Sequence, residues 1–258
     1  DLQIEEDLIE EVVRLWGYER LPVRPPRAAS PMQPQPEGRR SRFAVRRTIA
    51  ARDYQEVIGY SFVESELDRM LGNREPIRLL NPIAAHMDVM RTTLWGGLIE
   101  TLRANLNRRA TRVRLFEAGR VFSADPSVKP GPLAVNGVHQ PEMLAGLAYG
   151  SAAEEQWGIP ARAVDFFDVK ADLQALFGST APVFERAGHP ALHPGRSAHL
   201  VIDGRPVGWL GALHPAIQQT LELPHAPILF ELEMDALVSR PVPVFEPVSK
   251  FPPVVPDQ

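Results

Sequence analysis

The stretch Val113-Arg114-Leu115-Phe116-Glu117-Ala118-Gly119-Arg120-Val121-Phe122 is the most informative part of this 258-residue chain. Residues 113–117 and 120–122 have the composition of a strand in a sheet with one buried face. Directly before them, a leucine recurs at every fourth position from Leu94 to Leu106, which predicts a long helix over residues 94–107. The sequence thus predicts a helix followed directly by a sheet strand.

Similar patterns predict the elements on both sides. Helices are expected over residues 4–16, 41–52 and 165–177, and strands over residues 56–63, 143–149, 182–185, 198–202, 207–213 and 228–233. The Asp203-Gly204 pair between two apolar runs predicts a tight hairpin. Residues 125–141, rich in Pro and Gly, are expected to form a loop. Short strands joined by hairpins indicate an α+β fold, with an antiparallel sheet flanked by helices.

Composition narrows the classes of function. The net charge of -4 and the pI near 6.0 give no global attraction to nucleic acid, so any such contact must be local. The chain has no cysteine, which excludes disulfides, thiolate metal sites and cysteine nucleophiles and fits a cytoplasmic location. No apolar run approaches the roughly 20 residues that span a bilayer, so no membrane partner is expected.

The common catalytic motifs are missing. The sequence contains no Gly-rich phosphate loop, no His-Glu-x-x-His motif and no Gly-x-Ser-x-Gly motif. His193 and His214 each precede a proline, where a capping or turn role is expected. We therefore assign no catalytic and no cofactor-binding residue from sequence.

An acidic group near the N-terminus is the best candidate metal site. Asp7, Glu10 and Glu11 are three and four residues apart on the first predicted helix, so their carboxylates share one flank, and Asp1 could join them. Such hard oxygen ligands suit Mg²⁺. Spacing alone favours the alternative, a solvated acidic face in which Arg14 pairs with Glu10 or Glu11.

Two groups of arginines could contact phosphates, although a solvated face or an acidic protein partner explains such groups more often. The first group is Arg39, Arg40, Arg42, Arg46, Arg47 and Arg52, and the second is Arg103, Arg108, Arg109, Arg112 and Arg114. Neither has interleaved aromatic residues, and Phe62, Phe116, Phe122 and Phe166 are expected in the core.

An ordered series of short motifs resembles the β subunits of bacterial phenylalanyl-tRNA synthetases over nearly the whole chain. The series is Asp1-x5-Asp7-Leu8-Ile9-Glu10-Glu11-Val12, Leu15-x-Gly17-Tyr18, Tyr54-Gln55-Glu56-Val57, Leu80-Asn81-Pro82, Met90-Arg91, Asn105-x-Asn107-Arg108, Phe116-Glu117-x-Gly119-Arg120, Asp165-Phe166-Phe167-Asp168-x-Lys170 and His193-Pro194-Gly195-Arg196. Each motif is weak alone, but the order makes the series specific.

The resemblance implies a class II aminoacyl-tRNA synthetase-like antiparallel sheet flanked by helices and lacking activity. Where an active site of that class resembles Phe-Arg-x-Glu, this chain has Arg114-Leu115 one position out of register, and the last strand, residues 228–233, has no nearby arginine. We therefore expect no pair of guanidinium groups at a nucleotide-sized hollow in this sheet.

The resemblance also implies a division of the chain and its partners. Residues 1–20 would end a truncated metal-site domain, 21–38 would form a Pro-rich linker, 39–245 the synthetase-like core, and 246–258 the start of a missing anticodon-binding domain. The chain would scaffold an α2β2 complex that attaches phenylalanine to tRNA(Phe), with ATP used on the α subunit and Mg²⁺ shared with it. Asp53 stands where the family commonly has glycine in a left-handed or turn conformation.

Helix 41–52 and the strand after it match the family's first motif. We expect them to form much of the subunit contact and to expose an apolar strip. Two other functions are weighed against this one: a stand-alone nucleotide-using enzyme of the same fold, and a tRNA-binding module built on the two arginine groups.

Overall fold

The computed structural model describes residues 4–25, 36–178 and 182–239. It divides into two compact units, residues 1–36 and residues 37–258. The four-part division expected from sequence stays a prediction, and much of the linker and all of residues 246–258 lie outside the described residues. No helix of the described ranges is long and apolar enough to cross a bilayer.

The first unit contains helix α1, Glu5–Trp16, followed by a short 3-10 turn, Tyr18–Arg20. The backbone N–H of Ile4 donates to the Asp7 carboxylate over 3.1 Å, which satisfies a donor that the helix start leaves free. Gly17, at φ 105°, ends the helix, as its sequence predicts. The apolar stripe of α1 is exposed: the exposed fraction is 55% at Leu8 and 66% at Val12.

The second unit is built on a seven-stranded sheet with the order β1-β4-β7-β11-β10-β9-β8. These strands are β1 Gln55–Glu56, β4 Val113–Arg120, β7 Glu142–Tyr149, β8 Val183–Arg186, β9 Leu192–Ile202, β10 Arg205–Leu213 and β11 Ile228–Glu233. Two small two-stranded antiparallel sheets complete the strands: β2 Phe62–Val63 with β3 Val89–Met90, and β5 Ser123–Ala124 with β6 Val138–His139. The helices are α2 Arg42–Ala50, α3 Ser65–Leu71, α4 Trp95–Asn107, α5 Phe166–Phe177, α6 Pro215–Thr220 and α7 Met234–Val238.

The large sheet is antiparallel except at one edge, where β1 pairs in parallel with β4. Helices cover both faces. Residues of α2, α5 and α7 pack with Phe116, Phe230 and alternate residues of the other strands, and residues of α3 and α4 pack with Leu115, Leu229 and the intervening ones. The predicted α+β fold with a flanked, mostly antiparallel sheet is therefore confirmed.

The hairpin predicted at Asp203-Gly204 joins β9 and β10, and both turn residues have positive φ, 50° and 77°. His214 Nδ1 accepts the N–H of Ala216 at the start of α6, and His193 Nδ1 accepts the N–H of Gly195. The expected turn or capping role of both histidines is confirmed. Asp53 has φ 71°, the left-handed conformation that the sequence analysis inferred for this position.

The strand predicted over residues 56–63 is only partly present: Glu56 lies in β1 and Phe62 and Val63 form β2, but residues 57–61 are not in a strand. The chain leaves the large sheet after the N–H of Val57 bonds the carbonyl of Phe116 over 2.9 Å, and the N–H of Gly59 then donates to the Glu117 side chain over 3.2 Å. After Val57 the backbone thus hydrogen-bonds to the Glu117 side chain and no longer to the backbone of β4. The loop expected over residues 125–141 does contain one strand, β6, and α3, α6 and α7 are short helices without a clear periodic signal.

Candidate functional site

Arg91 and Glu117, from two different motifs, form a buried ion pair. Arg91 Nη1 lies 2.7 Å from Glu117 Oε1, and the side chains are only 6% and 4% exposed. Arg91 Nε also donates to the carbonyl of Arg120, and Nη1 to that of Tyr60. The pair therefore fixes the 59–61 segment against β4.

Gly119 makes room for this pair. A Cβ built at position 119 would lie 2.4 Å from Arg91 Nη2, far inside a van der Waals contact. The absence of a side chain at Gly119 thus lets the guanidinium pass across β4. This contact gives a physical reason for the Phe116-Glu117-x-Gly119-Arg120 motif.

A small hollow of about 240 Å³, named here the Glu231 hollow, lies on the sheet face that carries Trp209 and Glu231. Glu231 accepts hydrogen bonds from the Thr93 hydroxyl at 3.0 Å and the N–H of Leu94 at 2.8 Å. Burial raises the pKa of Glu231 to about 7. Near pH 7 this carboxyl is therefore protonated in about half of the molecules. It suits a hydrogen-bonding role, and in neither protonation state does it offer a positive charge to a phosphate.

Aromatic rings form another wall of this hollow. His189 packs edge-on against Trp95 and Trp209, with ring centroids 5.1 and 4.9 Å away, and His199 lies 3.5 Å from the Trp209 ring. Burial lowers the pKa of His189 to about 4, so this imidazole is uncharged near neutral pH. It supplies no cation for an anionic ligand.

Among the described residues that line this hollow, Arg74 is the one arginine, and its Nη1 already donates to the Ser123 hydroxyl over 2.9 Å. The arrangement can hold a small polar or aromatic group, but it offers a triphosphate little positive charge.

A second hollow, of about 690 Å³, is lined by four arginines whose charges are neutralised. Asp172 pairs with Arg52 Nε and with Arg114 Nη1, both at 2.8 Å, and accepts the Tyr54 hydroxyl at 3.1 Å. The other two pairs are Arg112 with Asp53 and Arg162 with Asp168, each at 2.5 Å. These arginines are committed to structure.

A third hollow, of about 790 Å³, is lined by Arg186, Arg196 and Lys170. The expectation that no nucleotide-sized hollow in this sheet would carry two guanidinium groups is therefore wrong. It rested on two motif positions, near Arg114 and in the last strand, whereas these two arginines come from β8 and β9.

The predicted metal ligands lie on one helix but do not form a metal site by themselves. Asp7, Glu10 and Glu11 all belong to α1; Asp7 bonds the N–H of Ile4, and Glu11 pairs with Arg14 at 2.6 Å. Asp1 lies outside the described residues. Across the part of the chain that is described, no three His, Cys, Asp or Glu side chains are arranged to hold a metal ion.

The first arginine group is largely used within the fold, and the second is used in part. In the first group, Arg42 pairs with Glu142, Arg46 with Glu56 and Arg52 with Asp172. Arg40 bonds the carbonyls of Leu176 and Ala44. In the second group, Arg112 and Arg114 are paired as described above, whereas Arg103, Arg108 and Arg109 are exposed and have no ion pair among the described residues. The internal pairing leaves fewer free arginines for a tRNA-binding module.

Exposed apolar side chains mark the region predicted as a subunit contact. The exposed fraction is 64% at Phe43, which lies in α2, 90% at Ile58 and 69% at Tyr60. Ile58 and Tyr60 follow β1, the edge strand of the large sheet. Exposed apolar side chains are therefore present at this helix and after this strand, and Phe43, Ile58 and Tyr60 are called the exposed strip.

Sequence reasoning missed Glu231 and Asp172, the two carboxylates that organise the polar contacts of these hollows. A signal existed for both. Glu231 is in phase with the core residue Leu229 on β11, and Asp172 lies three residues after the buried Val169 on α5. A charged residue in phase with a buried stripe indicates a paired or hydrogen-bonded group.

Comparisons with known proteins agree with the motifs. A family model described as "Phenylalanyl tRNA synthetase beta chain CLM domain" matches residues 21–234. The chain is 58% identical over 255 residues to a phenylalanine–tRNA ligase beta subunit of Burkholderia pseudomallei, which covers 98% of this chain and 32% of the relative. It is 57% identical over 258 residues to that of Cupriavidus pinatubonensis and 56% identical over 260 residues to that of Bordetella bronchiseptica, each covering 100% of this chain and 32% of the relative. The chain thus spans about a third of the length of these relatives.

Proposed function

Because the chain belongs to the phenylalanyl-tRNA synthetase β-chain family, we propose that it is the non-catalytic, class II synthetase-like domain of a phenylalanine–tRNA ligase β subunit. It scaffolds an α2β2 complex in the cytoplasm that attaches phenylalanine to tRNA(Phe). ATP is bound and used on the α subunit. The observation that carries the proposal is the exposed apolar strip beside the edge strand β1.

This strip is suited to a protein contact because it is both apolar and held in place. The N–H of Gly59 bonds the Glu117 side chain, the carbonyl of Tyr60 bonds Arg91, and the carbonyl of Ser61 accepts the Arg91 N–H at 3.0 Å. A segment fixed before binding loses little conformational entropy when a partner covers it. Ile58 and Tyr60 would supply the apolar centre of that contact.

The composition of the Glu231 hollow supports a domain without its own chemistry. Its described lining has one arginine, already bonded to Ser123, and no lysine; of its three histidines, the buried His189 is uncharged near neutral pH. ATP activation needs cations that hold the triphosphate as charge develops on it. The hollow that carries Arg186 and Arg196 lies on the other face of the sheet. Its lining includes Ala212 and Ile228, whose side chains alternate along β10 and β11 with those that face the Glu231 hollow.

Mg²⁺ remains part of the proposal, with Asp1, Asp7, Glu10 and Glu11 as candidate ligands. The described carboxylates alone do not fit a complete site, since Asp7 bonds the helix start and Glu11 pairs with Arg14. Mg²⁺ usually takes one or two protein carboxylates and keeps several waters. The proposal therefore requires further ligands from the α subunit.

Two assays test the proposal. The first is phenylalanine-dependent ATP–pyrophosphate exchange by the purified protein alone, and we expect none above background. The second is co-purification with a matching α subunit, which we expect to be stoichiometric. Appreciable exchange without the α subunit would favour the stand-alone nucleotide-using enzyme and remove the scaffold function.

A further inference from the structure

The third hollow, named here the β8–β9 hollow after the strands that supply its arginines, has free positive charge. Arg186, Arg196 and Lys170 line it, and none of them lies within ion-pair distance of a carboxylate of the described residues. Asp165 is the one acidic residue in the described lining, and its carboxylate caps α5 by accepting the N–H groups of Phe167 and Asp168. The hollow is therefore net positive.

The two arginines line the same hollow from adjacent strands. Arg186 is paired with Ala198 across β8 and β9, and Arg196 lies two residues before Ala198, beyond the regular pairing of these two strands. The Ser197 hydroxyl donates to the carbonyl of Ala187 over 2.7 Å, which fixes the residues next to both arginines.

A bulge gives Arg196 its position. Gly211 of β10 pairs with Ser197, but Leu213 pairs with Leu192, so β9 has extra residues over this interval. They include the His193-Pro194-Gly195-Arg196 motif. Bulges of this kind redirect a side chain out of the regular pattern, and here the redirected residue is a cation beside a hollow.

Aromatic rings accompany the cations. Phe167 is 71% exposed at the hollow, and its ring meets the Phe166 ring edge-on at 5.6 Å. The Lys170 ammonium lies 4.9 Å from the centre of the Phe184 ring, which keeps it on the wall of the hollow. An exposed ring and free cations that line one hollow form the combination that binds a base and its phosphate together.

We propose that the β8–β9 hollow binds a nucleoside phosphate, with Arg186 and Arg196 on the phosphate and Phe167 under the base. Its volume of about 790 Å³ lies within the range of small-molecule sites. The ligand is either a free nucleotide or one nucleotide of an RNA strand. This site is independent of the proposed scaffold function, since it lies on neither the exposed strip nor the Glu231 hollow.

The test compares two double variants that remove the same charge. R186A/R196A removes both arginines of the hollow; R24A/K129A removes two exposed cations that lie outside the hollow and both arginine groups and have no ion pair in the described part of the chain. Binding of AMP is followed by titration calorimetry, and binding of a short single-stranded RNA by fluorescence anisotropy. We expect R186A/R196A to weaken binding at least tenfold and R24A/K129A to change it less than twofold.

The two probes separate the sources of the ligand. Saturable AMP binding that is lost in R186A/R196A identifies a free nucleotide as the ligand. Binding of RNA without binding of AMP identifies an RNA strand; in that case the slope of log K against log salt concentration should be smaller by about 1.4 in R186A/R196A, because two phosphate contacts are lost. F167A should weaken either ligand several-fold, and F167Y should restore it. The proposal is overturned by wild-type protein that binds neither probe at millimolar concentration, by equal losses in the two double variants, or by inorganic phosphate binding as tightly as AMP.

Discussion

Arg91 and Glu117 are 26 residues apart in sequence and form a 2.7 Å ion pair in the interior of the second unit. The same guanidinium bonds the carbonyl of Tyr60, whose side chain is exposed on the apolar strip. A buried interaction thus determines the position of a surface proposed for subunit contact.

Replacing Arg91 by alanine leaves the Glu117 carboxylate buried without its partner. One of its oxygens, Oε2, already lacks a hydrogen-bond donor among the described residues. We expect R91A to lower the free energy of unfolding by about 3–5 kcal/mol in urea titrations. R103A, at an exposed arginine, is the control and should change it by less than about 0.5 kcal/mol. A loss below about 1 kcal/mol in R91A would show that the pair is not important for stability.

Replacing Gly119 by alanine places a methyl group where Arg91 Nη2 now lies. The guanidinium is held by three partners and cannot move without losing hydrogen bonds. We expect G119A to lower the free energy of unfolding by about 1–3 kcal/mol. G131A is the matched control, because a Cβ there would make only an ordinary 3.8 Å contact with Ala134. Equal stability of the two variants would contradict the close approach of Arg91.

The pKa of Glu231, raised by burial from 4.5 to about 7, makes stability depend on pH. Between these values the folded protein keeps a proton that the unfolded chain releases, so this group's contribution to stability falls as pH rises from about 4.5 to 7. E231Q removes the titration and keeps an oxygen that can accept from Thr93 and Leu94. We expect the free energy of unfolding of E231Q, relative to that of wild type, to increase by about 2–3 kcal/mol from pH 5 to pH 8.

Urea unfolding of both proteins at the two pH values measures this difference. His189 also titrates, but in the opposite direction: burial lowers its pKa to about 4, so its contribution to stability rises from about pH 4 to 6.5. It is present in both proteins and cancels in the comparison. A constant difference between E231Q and wild type across pH would show that Glu231 is ionised throughout.

Local periodicity correctly predicted elements whose apolar side chains are buried within this fold. Helix α4 and strand β11 lie within one residue of their predicted bounds, because regular leucine spacing in the helix and a mostly apolar run in the strand reflect burial within this fold. Residues 56–63 have the same apolar character for a different reason. Ile58 and Tyr60 are exposed in this chain, and the strand-like pattern of residues 57–61 does not correspond to a strand.

Other features could not be read from local sequence. The parallel pairing of β1 with β4 depends on strand direction, which a short run of residues does not encode. The guanidinium pair of the β8–β9 hollow depends on a bulge that brings Arg196 beside Arg186. The acidic residues of α1 were located correctly on a helix, but metal ligation depends on groups that a single helix does not supply.

The subunit contact is tested most directly by one substitution in the exposed strip. I58D introduces a charge at a side chain that is 90% exposed, so it should not change the free energy of unfolding by more than about 0.5 kcal/mol. L133D is the matched control at an aliphatic residue that is 81% exposed in a different loop. The measurement is the Kd for a matching α subunit, determined by surface plasmon resonance with wild type and both variants. We expect I58D to weaken association at least a hundredfold while L133D binds like wild type; an I58D variant that is folded and binds the α subunit with wild-type affinity would contradict the proposed contact.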